Sequence, residues 1–334
     1  MPGRKAARGH ALFRNSLECG HGARKMAYYL RQVPGIQPQI WSIDDFVAIR
    51  MGVTNPESGP GSYFKAEAGE TVWDTMKRQA PDWFEPAGSE PFQKTVLEPG
   101  QFYPRIARPW FGRPSDFPRI PLMRPSDNNF IAVARSQLTA LMQQLAFICQ
   151  TVHPSEDTLH TYGHSIRNLL ILACTEVEMH WRGVLVANKV IQSEYTTKHY
   201  VRLQPAMKLG DYAIGFPSFP WLAPARPFEG WGISRNPSQD LRWYASYNAV
   251  KHNREHEFQR ATLHNVFEAV SACAIMMIAQ FGSIIGLGKN TELESFFYLS
   301  SSPRWRLTDA YMPPFRETTG ESLEVSYPFD VSPS

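Results

Sequence analysis

Ten consecutive residues, Tyr247-Asn248-Ala249-Val250-Lys251-His252-Asn253-Arg254-Glu255-His256, hold the densest group of potentially reactive side chains in this 334-residue chain. Histidine is the side chain whose charge changes nearest neutral pH, so His252 suits general acid–base work. Asn248 precedes it by one helical turn and can orient its ring. Lys251 and Arg254 flank it with the positive charge that a phosphate needs, one as a point charge and the other as a bidentate fork. The same stretch also reads His252-x-x-Glu255-His256. Two imidazoles four apart can face one zinc ion, and Glu255 can polarise a bound water. Arg254 stands against that second chemistry, because it puts positive charge inside the proposed metal site. A third reading is structural, with Asn248 and His252 satisfying backbone groups in a polar layer between helices.

The long helix expected upstream carries Glu176, Glu178, His180 and Arg182 on an otherwise apolar element. Glu178 and Arg182 are spaced to pair with each other. Glu176 falls on a different face, in line with Leu169, Leu172 and His180. A carboxylate on a buried face needs a partner. Lys251, His252 and Arg254 are the natural donors, so the two helices are expected to meet through a polar cluster behind the site. Two other patterns carry less. Glu156, His160 and His164 recur every four residues and can share a metal, but a solvated helix start accounts for them. Ile285–Asn290 fails as a phosphate loop, since Ser283 stands where the first glycine belongs and a helix precedes it.

Asn248-Ala249-Val250-Lys251-His252, at the end of one long helix among several, resembles the signature of the HEPN superfamily, in which arginine and a polar residue, often asparagine, precede a histidine. Glu178-x-x-x-Arg182 is similar to the acidic–basic motif of some members. The resemblance covers roughly residues 155–285. It implies a helical bundle, RNA as the substrate, metal-independent cleavage without a cofactor, and a homodimer whose sites often form across a two-fold axis. It also implies a prokaryotic setting of toxin–antitoxin or antiviral defence. In that frame His252 is the general acid or base and Asn248 orients it. Lys251, Arg254 and Arg182 bind phosphate, while Tyr247, Glu176 and Glu178 support them. Tyr247 occupies the position of the family's arginine, which lowers the expectation of ordinary ribonuclease activity relative to binding of RNA or a nucleotide. A non-catalytic structural or partner-binding bundle is the alternative, and zinc hydrolysis through His252 and His256 a further one.

These side chains must be positioned by helices. Ser126-Asp127-Asn128 is a good cap cluster, after which Ile131, Leu138, Leu141, Leu145, Ile148 and Val152 trace one apolar face ending at Pro154. A second helix is expected from Ser155–Asp157 to about Asn188, a third from about Ser238 to the His252–His256 region, and a fourth from about Phe258 to Ile285. Short strands are expected around His199–Leu203 and Tyr212–Phe216. Before residue 126 the chain is rich in proline, glycine and aromatics, with short helices read over Ile43–Arg50 and Glu70–Arg78. Residues 102–125 alternate arginine with aromatics and proline. That suits stacking on single-stranded nucleic acid, but an extended strap on the helical core is favoured. The chain is thus read as all-α, an antiparallel helical bundle with a loop-rich N-terminal wrapping segment. The divisions are a basic leader over 1–25, the wrapping over 26–125, the bundle over 126–288 and an irregular tail over 289–334.

Bulk properties agree with a globular, intracellular protein. Apolar residues make up 43% of the chain and the net charge is only +3, so no global field demands nucleic acid. Residues 1–25 carry six basic side chains against Glu18 alone, which reads as an unstructured leader. The four cysteines form no Cys-x-x-Cys pair, which suits a reducing, cytoplasmic compartment. Ala269–Gly288 is an uncharged run of 20 residues, long enough to span a bilayer. Its apolar stripe continues back through Phe258, Thr262 and Val266 across charged sequence, so it is read as a core helix, with no membrane as partner.

Overall fold

The computed structural model describes residues 26–86, 88–111, 118–314 and 324–329. Period-two alternation organises the first third of the chain. In β1 (Ala27–Arg31) and β2 (Gln39–Ile43), Tyr29, Trp41 and Ile43 turn to one face while Leu30 and Ile40 turn to the other. With β3 (Val47–Arg50), β4 (Tyr63–Lys65) and β5 (Phe92–Lys94) they form an antiparallel sheet in the order β4-β3-β2-β1-β5. Helix α1 (Val72–Gln79) covers the first face. Thr71 and Asp74 form its capping box, and Val72 and Met76 join Trp41, Phe64 and Phe92 in a separate core. Trp83 closes that core, with its ring 5.6 Å from Trp41 and 5.5 Å from Phe64. The opposite face carries Leu30 and Ile40, which pack on Met312 from the C-terminal segment.

The expected all-α bundle with a loop-rich wrapping is therefore corrected to a mixed α and β fold. The error is clearest at Ile43–Arg50, read as a helix behind the cap Ser42. Ser42 is a buried strand residue, and the Asp44 carboxylate closes a hairpin by accepting from the N–H groups of Phe46 and Val47 at 2.8 and 2.7 Å. A helix cap and a hairpin turn draw on the same short polar side chains. The helix read over Glu70–Arg78 is α1.

The second core is helical. Helices α2 (Pro125–Thr151) and α3 (His164–Ala187) are followed by three short helices, α4 (Thr197–Tyr200), α5 (Leu203–Met207) and α6 (Pro237–Asp240). Next come α7 (Arg242–His252), α8 (Arg254–Glu257), α9 (Leu263–Phe281), α10 (Ser283–Leu287) and α11 (Glu292–Phe296). Helix α9 is the axis, packed on α2, α3, α7 and α10. Every residue of α9 except His264 and Glu268 is buried. Among the described residues it is the one helix long and apolar enough to cross a membrane, and 89% of its most apolar window lies inside the fold. That is the burial of a core helix. Its end needs glycine, because Gly282 has φ 83° and a Cβ there would run into the backbone carbonyl of Pro118.

Between α3 and α7 the strand expected over His199–Leu203 is instead helical, capped where the Thr196 N–H donates to His199 Nδ1 at 3.1 Å. The strand expected over Tyr212–Phe216 exists as β7 (Ala213–Gly215) and pairs with β8 (Tyr298–Ser301) from the supposedly irregular tail. Residues 102–125 follow the strap reading where described. The segment starts at β6 (Gln101–Phe102), which pairs in parallel with β9 (Glu324–Val325). Arg105 is tied to Asp127 at 2.9 Å. Arg108 is buried between the rings of Tyr103 and Trp305 and donates to the carbonyls of Asp309 and Ala206. Those arginines hold the strap to the core and are not free for nucleic acid. Arg113 and Phe117 lie outside the described residues, as does the basic leader.

Candidate functional site

The site begins with the inner face of α7. Trp243, Tyr244, Tyr247 and Val250 recur at helical spacing and are buried against α3 and α9. This orientation turns Asn248 partly outward and leaves Lys251 and His252 exposed in the last turn. The helix stops at Asn253, whose φ of −139° and ψ of 64° break the helical path before Arg254 opens α8. Residues Lys251–His256 are all exposed. Asn248, His252 and Arg254 make no side-chain hydrogen bond or ion pair with other described residues. The site is therefore an open corner with free donors.

The break at Asn253 also bears on the metal reading. His252 and His256 sit on two different helices, so their spacing of four is not one turn of a continuous helix. Among the described residues no three His, Cys, Asp or Glu side chains converge on a point that could hold an ion. Glu292 and Glu294, the carboxylates available downstream, are occupied. Glu292 accepts from Gln143 at 3.0 Å, and Glu294 accepts from the N–H of Asn290. Glu156, His160 and His164 do not share a helix, since α3 begins only at His164.

Tyr247 is 1% exposed and cannot reach a ligand at the open corner. Its hydroxyl accepts from Lys251 Nζ at 2.9 Å, and its ring packs 5.5 Å from that of Tyr244. The Tyr244 hydroxyl in turn donates to Glu178 at 2.6 Å. Burial, reinforced by that carboxylate, drives the Tyr244 pKa far above its ordinary value. The hydrogen bond to Tyr247, with the field of Glu178 adding, raises the Lys251 pKa and keeps it charged. A polar cluster joins α3 to α7, but the donor to its carboxylate is Tyr244 and not one of the expected Lys251, His252 and Arg254. Its members are Glu178, Tyr244, Tyr247 and Lys251, and neither His252 nor Arg254 takes part. Arg182 forms no ion pair with Glu178 and instead lies 5.4 Å over the ring of Tyr195.

Glu176 faces elsewhere, toward α9. Its carboxylate lies 3.4 Å from His180 Nε2, and both side chains are buried. The Gln280 amide nitrogen is 2.9 Å from the Met276 carbonyl, an acceptor only, so that nitrogen is a donor and His180 Nδ1, also at 2.9 Å, accepts from it. The ring proton therefore sits on Nε2, on the side of Glu176, but no hydrogen bond joins the two groups. Burial, with the charge of Arg105 adding, pushes the His180 pKa down to about 3, and burial pushes Glu176 up to about 7. This pair belongs to the core and not to the open corner.

One functional candidate escaped the sequence reading. Arg167, in the first turn of α3, reaches across so that Nη2 lies 3.4 Å from the carbonyl of Val250 in α7, while Nη1 lies 3.4 Å from the Asn168 side-chain oxygen. A cation in a first turn opposes the helix dipole, which signals that its charge is used against something else. Arg167, Lys251, His252 and Arg254 thus gather around one helix end. In comparisons with protein-family models, curated proteins and solved structures, nothing matches this chain.

Proposed function

We propose that the end of α7 is a phosphate-binding surface for RNA, and that its activity is binding and not strand cleavage. The observation that carries this reading is the exposure of His252 and Arg254 with no protein partner, next to Lys251 and the incoming Arg167. Cations at a helix C-terminus are favoured by its dipole. That effect accounts for Lys251 and His252 but not for Arg254, which opens the next helix. An open, exposed corner suits a polymer whose phosphates arrive in series better than a small substrate that must be enclosed. RNA as the polymer rests on the resemblance to the HEPN superfamily. Binding is preferred to cleavage because Tyr247 is buried and linked to Lys251, so no guanidinium projects from that position toward a phosphate beside His252.

We place the protein in the cytoplasm, on the support of Cys149, Cys174 and Cys273, all free and buried. A second copy would complete a composite site if two such corners met, and sedimentation velocity with and without RNA tests that part. The principal test is incubation with a mixed single-stranded RNA pool in chelator, followed by gel electrophoresis and fluorescence anisotropy. Retention of intact RNA supports the reading. Cleavage that disappears in His252→Ala contradicts the binding-only part, and absence of both effects contradicts the whole.

A further inference from the structure

Beside the α7 corner, α2 and α3 leave a groove of about 490 Å³ between them, lined by Ala140, Gln143, Gln144, Phe147, Ser165 and Asn168 among others. Phe147 is 69% exposed near the C-terminal end of α2, although its apolar neighbours Leu145, Ile148 and Cys149 are buried. Around it stand a hydroxyl and three carboxamides, and no lining residue is charged. A carboxamide offers a donor and an acceptor on one planar group, which is the complement of a nucleobase edge. An exposed ring offers the stacking platform on which any base can lie. The Gln143 nitrogen is already committed to Glu292, but its oxygen remains, and Gln144 has no described partner. An aliphatic groove would suit a helix from a protein partner, whereas here four of the seven lining residues are polar.

The groove connects directly to the phosphate surface. Asn168 lines it, and the neighbouring Arg167 touches Asn168 with one nitrogen and the last turn of α7 with the other. A neutral, amide-rich slot thus adjoins a guanidinium and the exposed cations beyond it. We infer that this groove is a nucleobase subsite, in which Phe147 stacks on a base while Gln144 and Asn168 address its edge and Arg167 holds the adjoining phosphate. The inference rests on the phosphate reading for its second half only, because a base can bind the groove without a phosphate.

The test has two arms. Uncharged nucleosides (adenosine, guanosine, cytidine and uridine) are titrated against the full chain by ligand-observed NMR. At least one should bind in a salt-insensitive manner and lose its signal in Phe147→Ala. In parallel, an RNA octamer and the same octamer with abasic positions, equal in charge, are compared by anisotropy. Phe147→Ala should weaken the intact octamer about 5- to 100-fold and leave the abasic one unchanged. Because Phe147 is exposed, the variant should keep the wild-type melting temperature, which confirms that it folds. Nucleoside binding without octamer binding removes the phosphate reading and leaves the groove. Salt-sensitive octamer binding that ignores both the abasic change and Phe147→Ala overturns the subsite alone. A wild-type dimer that Phe147→Ala turns into a monomer overturns it too, by making the ring a contact between protein chains.

Discussion

The Glu176–His180 pair gives the fold a pH dependence that one substitution should expose. Glu176 has a pKa of about 7 in the folded chain against an ordinary 4.5, with burial as the cause. A carboxyl raised in this way favours the folded state fully below pH 4.5, and that contribution is lost as pH rises through 7. About 2.5 units at about 1.4 kcal/mol each correspond to about 3 kcal/mol, which Glu176→Gln should remove because glutamine does not ionise. The glutamine keeps the shape of the side chain it replaces. His180 works in the opposite sense. Its pKa falls from 6.5 to about 3, so its contribution is present above 6.5 and lost as pH falls toward 3. That slope is common to both proteins and cancels in their difference. Urea melts from pH 4 to 8 should therefore show Glu176→Gln gaining on wild type across pH 4.5 to 7, by up to about 3 kcal/mol, with a plateau above. A flat difference, or a gain toward acid, would refute the burial of an uncompensated carboxylate beside His180.

Three other substitutions probe the remaining supports. Asp127→Ala leaves Arg105 unpaired in a site where both side chains are nearly buried, and should cost about 3–5 kcal/mol in chemical denaturation. Tyr244→Phe removes the hydroxyl that Glu178 accepts from and should cost about 1–3 kcal/mol, with the loss seen in the amide exchange of α3 and α7. Trp41→Ala empties the centre of the sheet's own core at about 3–5 kcal/mol, and hydrogen exchange should rise in β1–β5 before it rises in α9.

The helices α2, α3, α7 and α9 were legible because each is long enough for its 3.6-residue period to repeat several times. The sheet was not, because its strands run for three to five residues and their alternation is cut by turns. Two misreadings mirror each other. Ser42 and Asp45 looked like a helix start but belong to a hairpin, whereas His199 and Tyr200 looked like strand and are helical. In both places a local hydrogen bond, accepted by Asp44 or by His199, decided the outcome. At the site, the exposed face of α7 follows from its sequence, since Tyr244, Tyr247 and Val250 claim the inner face. The separation of Glu176 from Glu178 was likewise visible in their spacing. Arg167 was hidden because its contact spans 83 positions in the chain, and no local pattern encodes such a crossing.

The salt dependence of RNA binding tests the phosphate surface most directly. Each neutralised phosphate on a single strand contributes about −0.7 to the slope of log K against log salt. The variant Arg167→Gln, Lys251→Gln, Arg254→Gln removes three cations, so its slope should be shallower than that of wild type by about 2. All three side chains lie at or near the surface, and the fold should survive. An unchanged slope, or wild-type protein that binds single-stranded RNA with no salt dependence, would contradict the assignment of this corner to phosphate.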